Sequence, residues 1–557
     1  MFNATNPYPA IQQWEEAGVS LLSALEKYSK VCTTLGEESR VDAVPPTFLA
    51  TRIEHALDSL HTTIGSQLAQ AQSILAQTRN LAVAPLHSFP EEVLSGIFAH
   101  VVFAPLDQFP GSDTSSIKMG VIGAYRALHV LLGVCTLWRN VAINRGTLWS
   151  IIPLSEKIKI PRGHPLHRVL HESKGLALNL IANMCSNKTD ISLLPTHVAQ
   201  FRTVSIAHTP LSMVRTILAV FTDWCGPDPL CLTRLSLHHH EPCGGAPVGD
   251  YIYQSVLEQQ PFNRLAKNLT LLQMSKTLVH WETVSFSDRL TSFHLRDVKL
   301  GFDSNLSTLL GAISSATQLR ELKLVNLETC QDSSPLPSLV ERSRTWLPAL
   351  ESLYLGNLYF NTLRLLLLSI RSRSHRLTLG FSAKLLQIHH LRPLGIEDVQ
   401  FNEVSELLRP ISVHTVWIDS CTLEPSFSAA ELKGLLDVLS PLVTLRLTAI
   451  LLGTDYCMAL ERPPGEHQST APSFVNLQLF YFRLGDIDAL KRMVHSHSGS
   501  LQRLVMANLV RRYMDKTHEE SMEEIELEDW LRERIPGYIK ENGDDHDLDC
   551  QLFLRDE

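Results

Sequence analysis

Three short stretches gather side chains that could bind a metal or an anion. "LHHHEPC" brings together His238, His239, His240 and Cys243, and imidazole and thiolate are both zinc ligands. Adjacent histidines at a strand end point in different directions, and no C-x-x-C or H-x-x-x-H pair completes a four-ligand set, so the stretch reads as a loop. "HSHSG" (495–499) reads the same way. "RSRSHR" (371–376) could hold an acidic substrate or a phosphate. The preferred reading is a solvated helix end, where cations complement the dipole. Cys135 lies among apolar residues and reads as packing rather than as a nucleophile. There is no G-x-S-x-G, Walker loop or H-E-x-x-H. The expectation is a chain with no catalytic residue, no metal and no cofactor, whose chemistry is recognition.

Recognition needs surfaces, and the elements that build them are legible. The 557 residues are 44% hydrophobic with a net charge of −9. Residues 515–557 hold 16 acids and 5 bases, leaving 42 acids and 44 bases elsewhere, so the body is nearly neutral. No nucleic-acid partner is expected from that balance. No run of 18 uncharged apolar residues predicts a membrane span. The start, "MFNATNPYPAIQQWEEAG", lacks the basic and apolar regions of a secretory signal. Ten scattered cysteines without C-x-x-C favour reduced thiols, hence the cytosol or nucleus.

Two helices open the chain. The first, over 11–35, has an apolar face of Ile11, Trp14, Leu21, Leu22, Leu25, Tyr28, Val31 and Leu35. Pro45-Pro46 breaks it. The second, over 47–81, carries Ile53, Leu57, Leu60, Ile64, Leu68, Ala71 and Leu75, a mean spacing of about 3.67, close to the 11-residue coiled-coil period. A hairpin of the two is the preferred reading; a self-associating coiled coil is the alternative.

"FPEEVLSGIFAHVV" (89–102) then starts as a helix, with Pro90 in the first turn and acids at the positive end of the dipole. Val93, Ile97 and Val101 form one apolar row; Leu94, Phe98 and Val102 form a second. Together they span about half the circumference, more than the ~100° of an ordinary surface helix. Such a helix is either buried or serves two surfaces. A polar insertion, "QFPGSDTSSIKMG", and the apolar "ALHVLLGVCTLWRNVAINRGTLWSII" follow, ending near Pro153.

From Gly175 a repeat sets the architecture. "LTRLSL" (232–237), "LRELKL" (319–324), "LESLYL" (350–355) and "LVTLRL" (442–447) fit L-x-x-L-x-L. Looser copies bring the starts to 175, 201, 232, 266, 290, 319, 350, 374, 413, 442, 474 and 501, with spacings of 24 to 39. Leucine-rich repeats have periods of ~20–29, so several units carry insertions. The Asn or Cys expected after each strand is mostly missing; Asn183 and Cys421 hold that position. The fold class is therefore mixed: an N-terminal α-helical hairpin and an all-α segment, then an α/β leucine-rich-repeat solenoid. The expected divisions are 1–44, 45–84, 85–153, 175–510 and 511–557. The last reads equally as a solvated acidic tail or as a cap on the final repeat.

The segment 85–153 resembles an F-box. Pro90, Glu92, Val93, Leu94, Ile97 and Phe98 match its opening Leu-Pro-x-Glu-(Leu/Ile/Val)-Leu-x-x-Ile-Phe in order, with Phe89 in place of the first leucine. Val134, Cys135, Trp138, Arg139, Val141, Ala142, Leu148 and Trp149 match its second half, although the stretch between the halves is longer than in a compact F-box. The whole arrangement is similar to the F-box-like proteins of mushroom-forming fungi. The resemblance implies a substrate receptor of a Skp–cullin–F-box ubiquitin ligase. Its partners would be a Skp-type adaptor with the cullin core and a protein substrate held by the repeats. The implied adaptor-binding residues are Phe89, Pro90, Glu92, Val93, Leu94, Ile97, Phe98, Val101, Val134, Cys135, Trp138, Val141, Leu148 and Trp149. The alternative is an interaction scaffold that keeps this fold outside any ligase.

Strand alternation suggests where a substrate would sit. With the leucines of L-x-L turned into the solenoid, the residue between them faces the opposite way. Among these, Tyr354, Trp417 and Arg446 are expected to centre a recognition surface, extended by His294 and Lys323, because aromatic and arginine side chains are enriched at hot spots.

Overall fold

A computed structural model describes residues 8–83, 89–107, 114–154, 166–173, 175–183, 191–192, 194–224, 230–239, 250–331, 340–341, 344–391, 395–419, 427–439, 442–462, 474–507 and 522–541. The chain divides into two compact units, Met1–Leu94 and Ser95–Glu557. No helix among the described residues is long and apolar enough to cross a membrane.

The first unit holds helices α1 (Pro9–Val41), α2 (Pro46–His55) and α3 (Thr62–Val83), with a π-helical stretch, Ala56–His61, joining the last two. Its helices are the two expected ones, each slightly longer. The expected stripe advances more than 3.6 residues per turn, and a wider turn takes up the surplus, which keeps the stripe in line. The two arms meet where Tyr28 Oη and His61 Nε2 lie 3.2 Å apart.

Helix α4 (Glu91–Asp107) begins as the sequence suggests, with Pro90 O accepting from the Val93 and Leu94 amides and two glutamates in the first turn. Helices α5 (Thr114–Val134) and α6 (Thr136–Asn144) follow. Part of the polar insertion is thus helix: Thr114–Gly120 opens α5. Cys135 caps α6, its Sγ accepting from the Trp138 amide at 3.5 Å. Arg139 Nε donates to Leu132 O at 3.0 Å, and Trp149 Nε1 donates to Ala142 O at 2.9 Å, which ties the turn after α6 back onto it.

Among the described residues of the remainder, the dominant element is a parallel sheet of fourteen strands, hydrogen-bonded in chain order, accompanied by four two-stranded pairs, one of them antiparallel. The fourteen are β1 (Ile151–Leu154), β2 (Leu178–Asn183), β3 (Phe201–Thr209), β4 (Arg234–His239), β5 (Leu271–Ser275), β6 (Ser292–Phe302) and β7 (Glu321–Cys330). Then come β8 (Ser352–Gly356), β9 (Arg376–Phe381), β10 (Thr415–Asp419), β11 (Thr444–Thr448), β12 (Asn476–Phe480), β13 (Arg503–Ala507) and β14 (Gly537–Glu541). Each of the twelve expected repeat copies supplies a strand. Two more strands close the ends: β1 within the stretch expected to belong wholly to the helical segment, and β14 in the acidic C-terminal stretch. Helices such as Leu211–Thr222, Asp303–Ser314, Phe360–Ser369, Ala429–Val438 and Ile487–Ser496 connect the strands, as parallel neighbours require. This is an α/β repeat solenoid of the leucine-rich type, preceded by helices.

The leucines of the repeat face the core: Leu235, Leu237, Leu322, Leu324, Leu353, Leu355, Leu445, Leu447, Leu477 and Leu479 are all buried. A second regularity was not read from the sequence. The residue two after the last apolar residue of the L-x-x-L-x-L strand motif has positive φ in seven repeats: His208, Lys276, Asp297, Asn326, Asn357, Ala449 and Tyr481, at 49° to 56°. That left-handed residue interrupts the alternation, so the next side chain turns inward as well. Thr209, Thr277, Val298, Leu327, Leu358, Ile450 and Phe482 are accordingly buried. Asn326 and Asn357 fill the turn because Asn tolerates this conformation better than most residues that carry a Cβ; Asn183 ends β2, and Cys421 lies outside the described residues.

Both ends of the sheet are covered. At the start, Val121 and Tyr125 of α5 pack with Ile151 of β1, and Tyr125 Oη donates to Ile151 O at 2.7 Å. At the end, helix α7 (Met522–Arg534) buries Leu527 and Leu531, and β14 pairs with β13. The described part of the acidic segment, Met522–Glu541, thus adds a helix and a strand to the end of the sheet; residues 508–521 and 542–557 lie outside the described residues.

Candidate functional site

Two surfaces stand out: the sheet face opposite the leucines, and one side of α4.

On the sheet face, register aligns Ser236, Gln273, His294, Lys323, Tyr354 and Thr378 across β4–β9. Two residues further along, a second row runs through Arg296, Val325, Gly356, Gly380, Trp417, Arg446 and Gln478. All five expected recognition residues lie on this face, in these rows. The first row is a polar relay. Ser236 Oγ donates to Gln273 Oε1 at 2.6 Å, and Gln273 Nε2 lies 3.0 Å from His294 Nδ1. His294 Nε2 and Lys323 Nζ both meet the Glu321 carboxylate, at 3.0 and 2.7 Å. Burial raises the Glu321 pKa, but hydrogen bonds and charge from His294 and then Lys323 outweigh it and hold the carboxyl well below the usual range.

The aromatic part of the expectation needs correction. Trp417 is 3% exposed and Tyr354 7%, and they pack with Val325 instead of meeting solvent. The physical reason is two glycines. The Tyr354 ring leans along its strand over Gly356 and Gly380, where a Cβ would come within 2.7 and 2.9 Å of it. Trp417 meets it edge-on, with centroids 6.4 Å apart. Trp417 Nε1 donates to Thr448 Oγ1 at 2.9 Å. The Arg446 guanidinium is sandwiched between Trp417 (4.5 Å) and Phe480 (4.1 Å). Tyr354, Trp417 and Arg446 therefore form an internal stack within the sheet face. Lys323 is also nearly buried, by its ion pair. The sequence reading missed Phe480 and the glycine pair; the signal was a Gly two residues after Tyr354 and another at its partner position in the next repeat.

Along the turn edge of the same strands runs a polar ladder. Asn326 Nδ2 donates to Asp297 Oδ1 (2.8 Å), Asn357 Nδ2 to Asn326 Oδ1 (3.2 Å), and Ser382 Oγ to Asn357 Oδ1 (2.5 Å). Lys384 Nζ joins Asn326 to Glu328, at 2.5 and 2.9 Å.

On α4, the two apolar rows separate. Leu94, Phe98 and Val102 are at most 2% exposed, whereas Val93, Ile97 and Val101 are 39–46% exposed. Phe98 packs against Trp138, with centroids 5.0 Å apart. Val141, Leu148 and Trp149 are buried, Cys135 and Trp138 half-buried, and Phe89, Pro90, Glu92 and Val134 exposed. Of the residues expected to meet an adaptor, Phe89, Pro90, Glu92, Val93, Ile97, Val101 and Val134 are thus accessible. Leu94, Phe98, Val141, Leu148 and Trp149 are core: the first three lie on the inward rows of α4 and α6, and the last two on the turn tied back onto α6.

Among the described residues no three His, Cys, Asp or Glu side chains group as a metal site. His239 Nδ1 lies 3.2 Å from Thr209 O; His240 and Cys243 lie outside the described residues. Cys330 Sγ and His389 Nδ1 approach to 3.7 Å, but burial, then Asp303 and Glu328, raise the thiol pKa. A thiol held protonated is a poor nucleophile.

No protein-family pattern matches the chain, and no curated protein matches it. Among solved structures, the chain is similar to one described as the crystal structure of a TLR13–ssRNA13 complex, at 14% identity and a TM-score of 0.24. The match covers 57% of this chain and 44% of that one. The fold assignment rests on the strand topology itself.

Proposed function

We propose that the chain is the substrate-recognition subunit of a Skp–cullin–F-box ubiquitin ligase, with the segment around α4–α6 docking the adaptor and the repeat sheet holding a protein substrate. The observation that carries this reading is the division of α4. Its exposed row is as apolar as its buried one, which a solvated helix has no reason to be. The packing of α5 on β1 supports a further point: helices and sheet share one core, so adaptor and substrate would be held at a fixed separation. The polar relay and the turn-edge ladder, rather than Trp417, form the polar part of the sheet face.

The test is co-purification of a Skp-type adaptor with the full chain and with Ile97→Asp and Val101→Asp. Both positions are half-exposed, so a carboxylate there stays hydrated in the free chain and costs under about 1 kcal/mol of stability. Buried in an interface it costs on the order of 3 kcal/mol or more. Loss of adaptor with an unchanged melting temperature is expected; undiminished co-purification refutes the assignment. The scaffold reading is favoured by one observation, the 17- and 21-residue lengths of α4 and α5, which lengthen the motif. Repeat-bound partners without adaptor or cullin would select it.

A further inference from the structure

We infer that the N-terminal hairpin is a self-association surface and that its occupant is the hairpin of a second copy of this chain. None of the large apolar side chains described between Tyr8 and Val83 is buried. Thirteen of the fifteen residues on the two expected stripes are exposed, among them Trp14, Leu22, Leu57 and Leu68. Two helices cannot cover two such stripes; four can, by packing their apolar faces around a shared core. At on the order of 80 Å² for each half-exposed large side chain, the stripes offer roughly 1,000 Å² per copy, above the ~800 Å² per partner of a standard stable interface.

Charge selects the occupant. Between Asp58 and Arg79 the second arm has no Asp, Glu, Lys or Arg, twenty consecutive residues on an exposed helix. An isologous contact sets a surface against its own copy, so every charge on it near the axis faces a like charge. A charge-free surface escapes that penalty. It also gives nothing to a charged partner, and its Gly65, Ala69, Ala71 and Ala76 allow close helix approach. The two-fold axis is placed across this stretch, near Leu68.

The inference does not depend on the ligase reading. Its test is sedimentation of the full chain over a concentration series, in reducing agent because Cys32 on α1 is exposed. The wild type should be a dimer with a Kd in or below the micromolar range, unaffected by salt because the contact is apolar. Leu57→Lys with Leu68→Lys should weaken association at least about 100-fold. Both residues are exposed in the single chain, so the melting temperature of the repeats should not move. Glu15→Lys, outside the charge-free stretch, is the control and should stay dimeric. A wild type that remains monomeric, a dimer that survives the double substitution, or capture of a different helical protein by a monomeric chain each overturns the proposal.

Discussion

Replacing Gly380 by alanine tests the stack on the sheet face directly. A Cβ at Gly380 would lie 2.9 Å from Tyr354 Oη and 3.1 Å from Gly356 Cα. The hydroxyl sits at the end of a rigid ring, and Trp417 blocks that ring on another side, so it cannot swing clear. Overpacking of this kind costs about 1–3 kcal/mol. Tyr354→Ala removes a buried aromatic and costs on the order of 3–5 kcal/mol. In the double variant the oxygen and ring are gone, the new methyl meets only Gly356 Cα, and alanine regains the ~0.5–1 kcal/mol of backbone entropy that glycine forfeits in a strand. The two losses should therefore not add: the double variant should be about 1–2 kcal/mol more stable than their sum. Urea unfolding of the four proteins by fluorescence and circular dichroism measures the cycle, with equal m-values as the check that one transition is compared. Additivity within about 0.5 kcal/mol, or a neutral Gly380→Ala, would show that the ring does not occupy the glycine slot.

Trp417→Ala should lower stability by on the order of 3–5 kcal/mol, since it removes a buried ring from between Tyr354 and Arg446; a substrate-binding defect with an unchanged melting temperature would contradict this. Acid should destabilise the repeats in two stages. Burial, and then the charge of Arg462, hold His497 below its ordinary 6.5 despite its hydrogen bond to Leu460 O, so the unfolded chain binds more protons and stability falls as pH drops through 6.5. Glu321 is depressed below its ordinary 4.5, so its contribution is intact above that pH and is lost as pH falls further. Glu321→Gln should shrink the second stage, to which Glu328, its burial outweighed by Lys384 and Lys299 so that it too is held low, also contributes, and leave the first unchanged; melting temperatures between pH 8 and 3 measure both. Burial, then Asp486 and Glu461, push the Cys457 thiol up to about 11; in native protein at neutral pH, maleimide labelling followed by peptide mass spectrometry should mark Cys32 and spare Cys457. Truncation after Tyr513 removes α7 and β14 and leaves β13 as an unpaired edge, so limited proteolysis should attack the last repeats first; unchanged protection would mean the cap adds nothing.

The repeat strands were legible because L-x-x-L-x-L imposes a period of two on a face that must be apolar, and a one-residue slip would have exposed every leucine. The ends were less legible, because β1 and β14 lack the motif: "IIPL" is buried along its whole length and "GYIKE" pairs on only one side. Similarly, strand parity placed Trp417 on the correct face yet said nothing of its exposure. A side chain opposite the leucines is open to solvent only if its neighbours on adjacent strands, about 4.8 Å away, leave it so. Tyr354 has glycine two positions on, at Gly356, and again in the next strand, at Gly380. An aromatic residue beside an empty position fills it, and Trp417, Arg446 and Phe480 then close over one another. Exposure on a parallel sheet is thus a property of rows across strands. A row with long polar groups at every rung, such as Gln273, His294 and Lys323, satisfies itself by hydrogen bonds and ion pairs. A row with two empty rungs, Gly356 and Gly380 beside Trp417, is filled by Tyr354 from the neighbouring row and closes into a second core. Both outcomes follow from residue types that the sequence supplies, once the register has said which rung stands beside which.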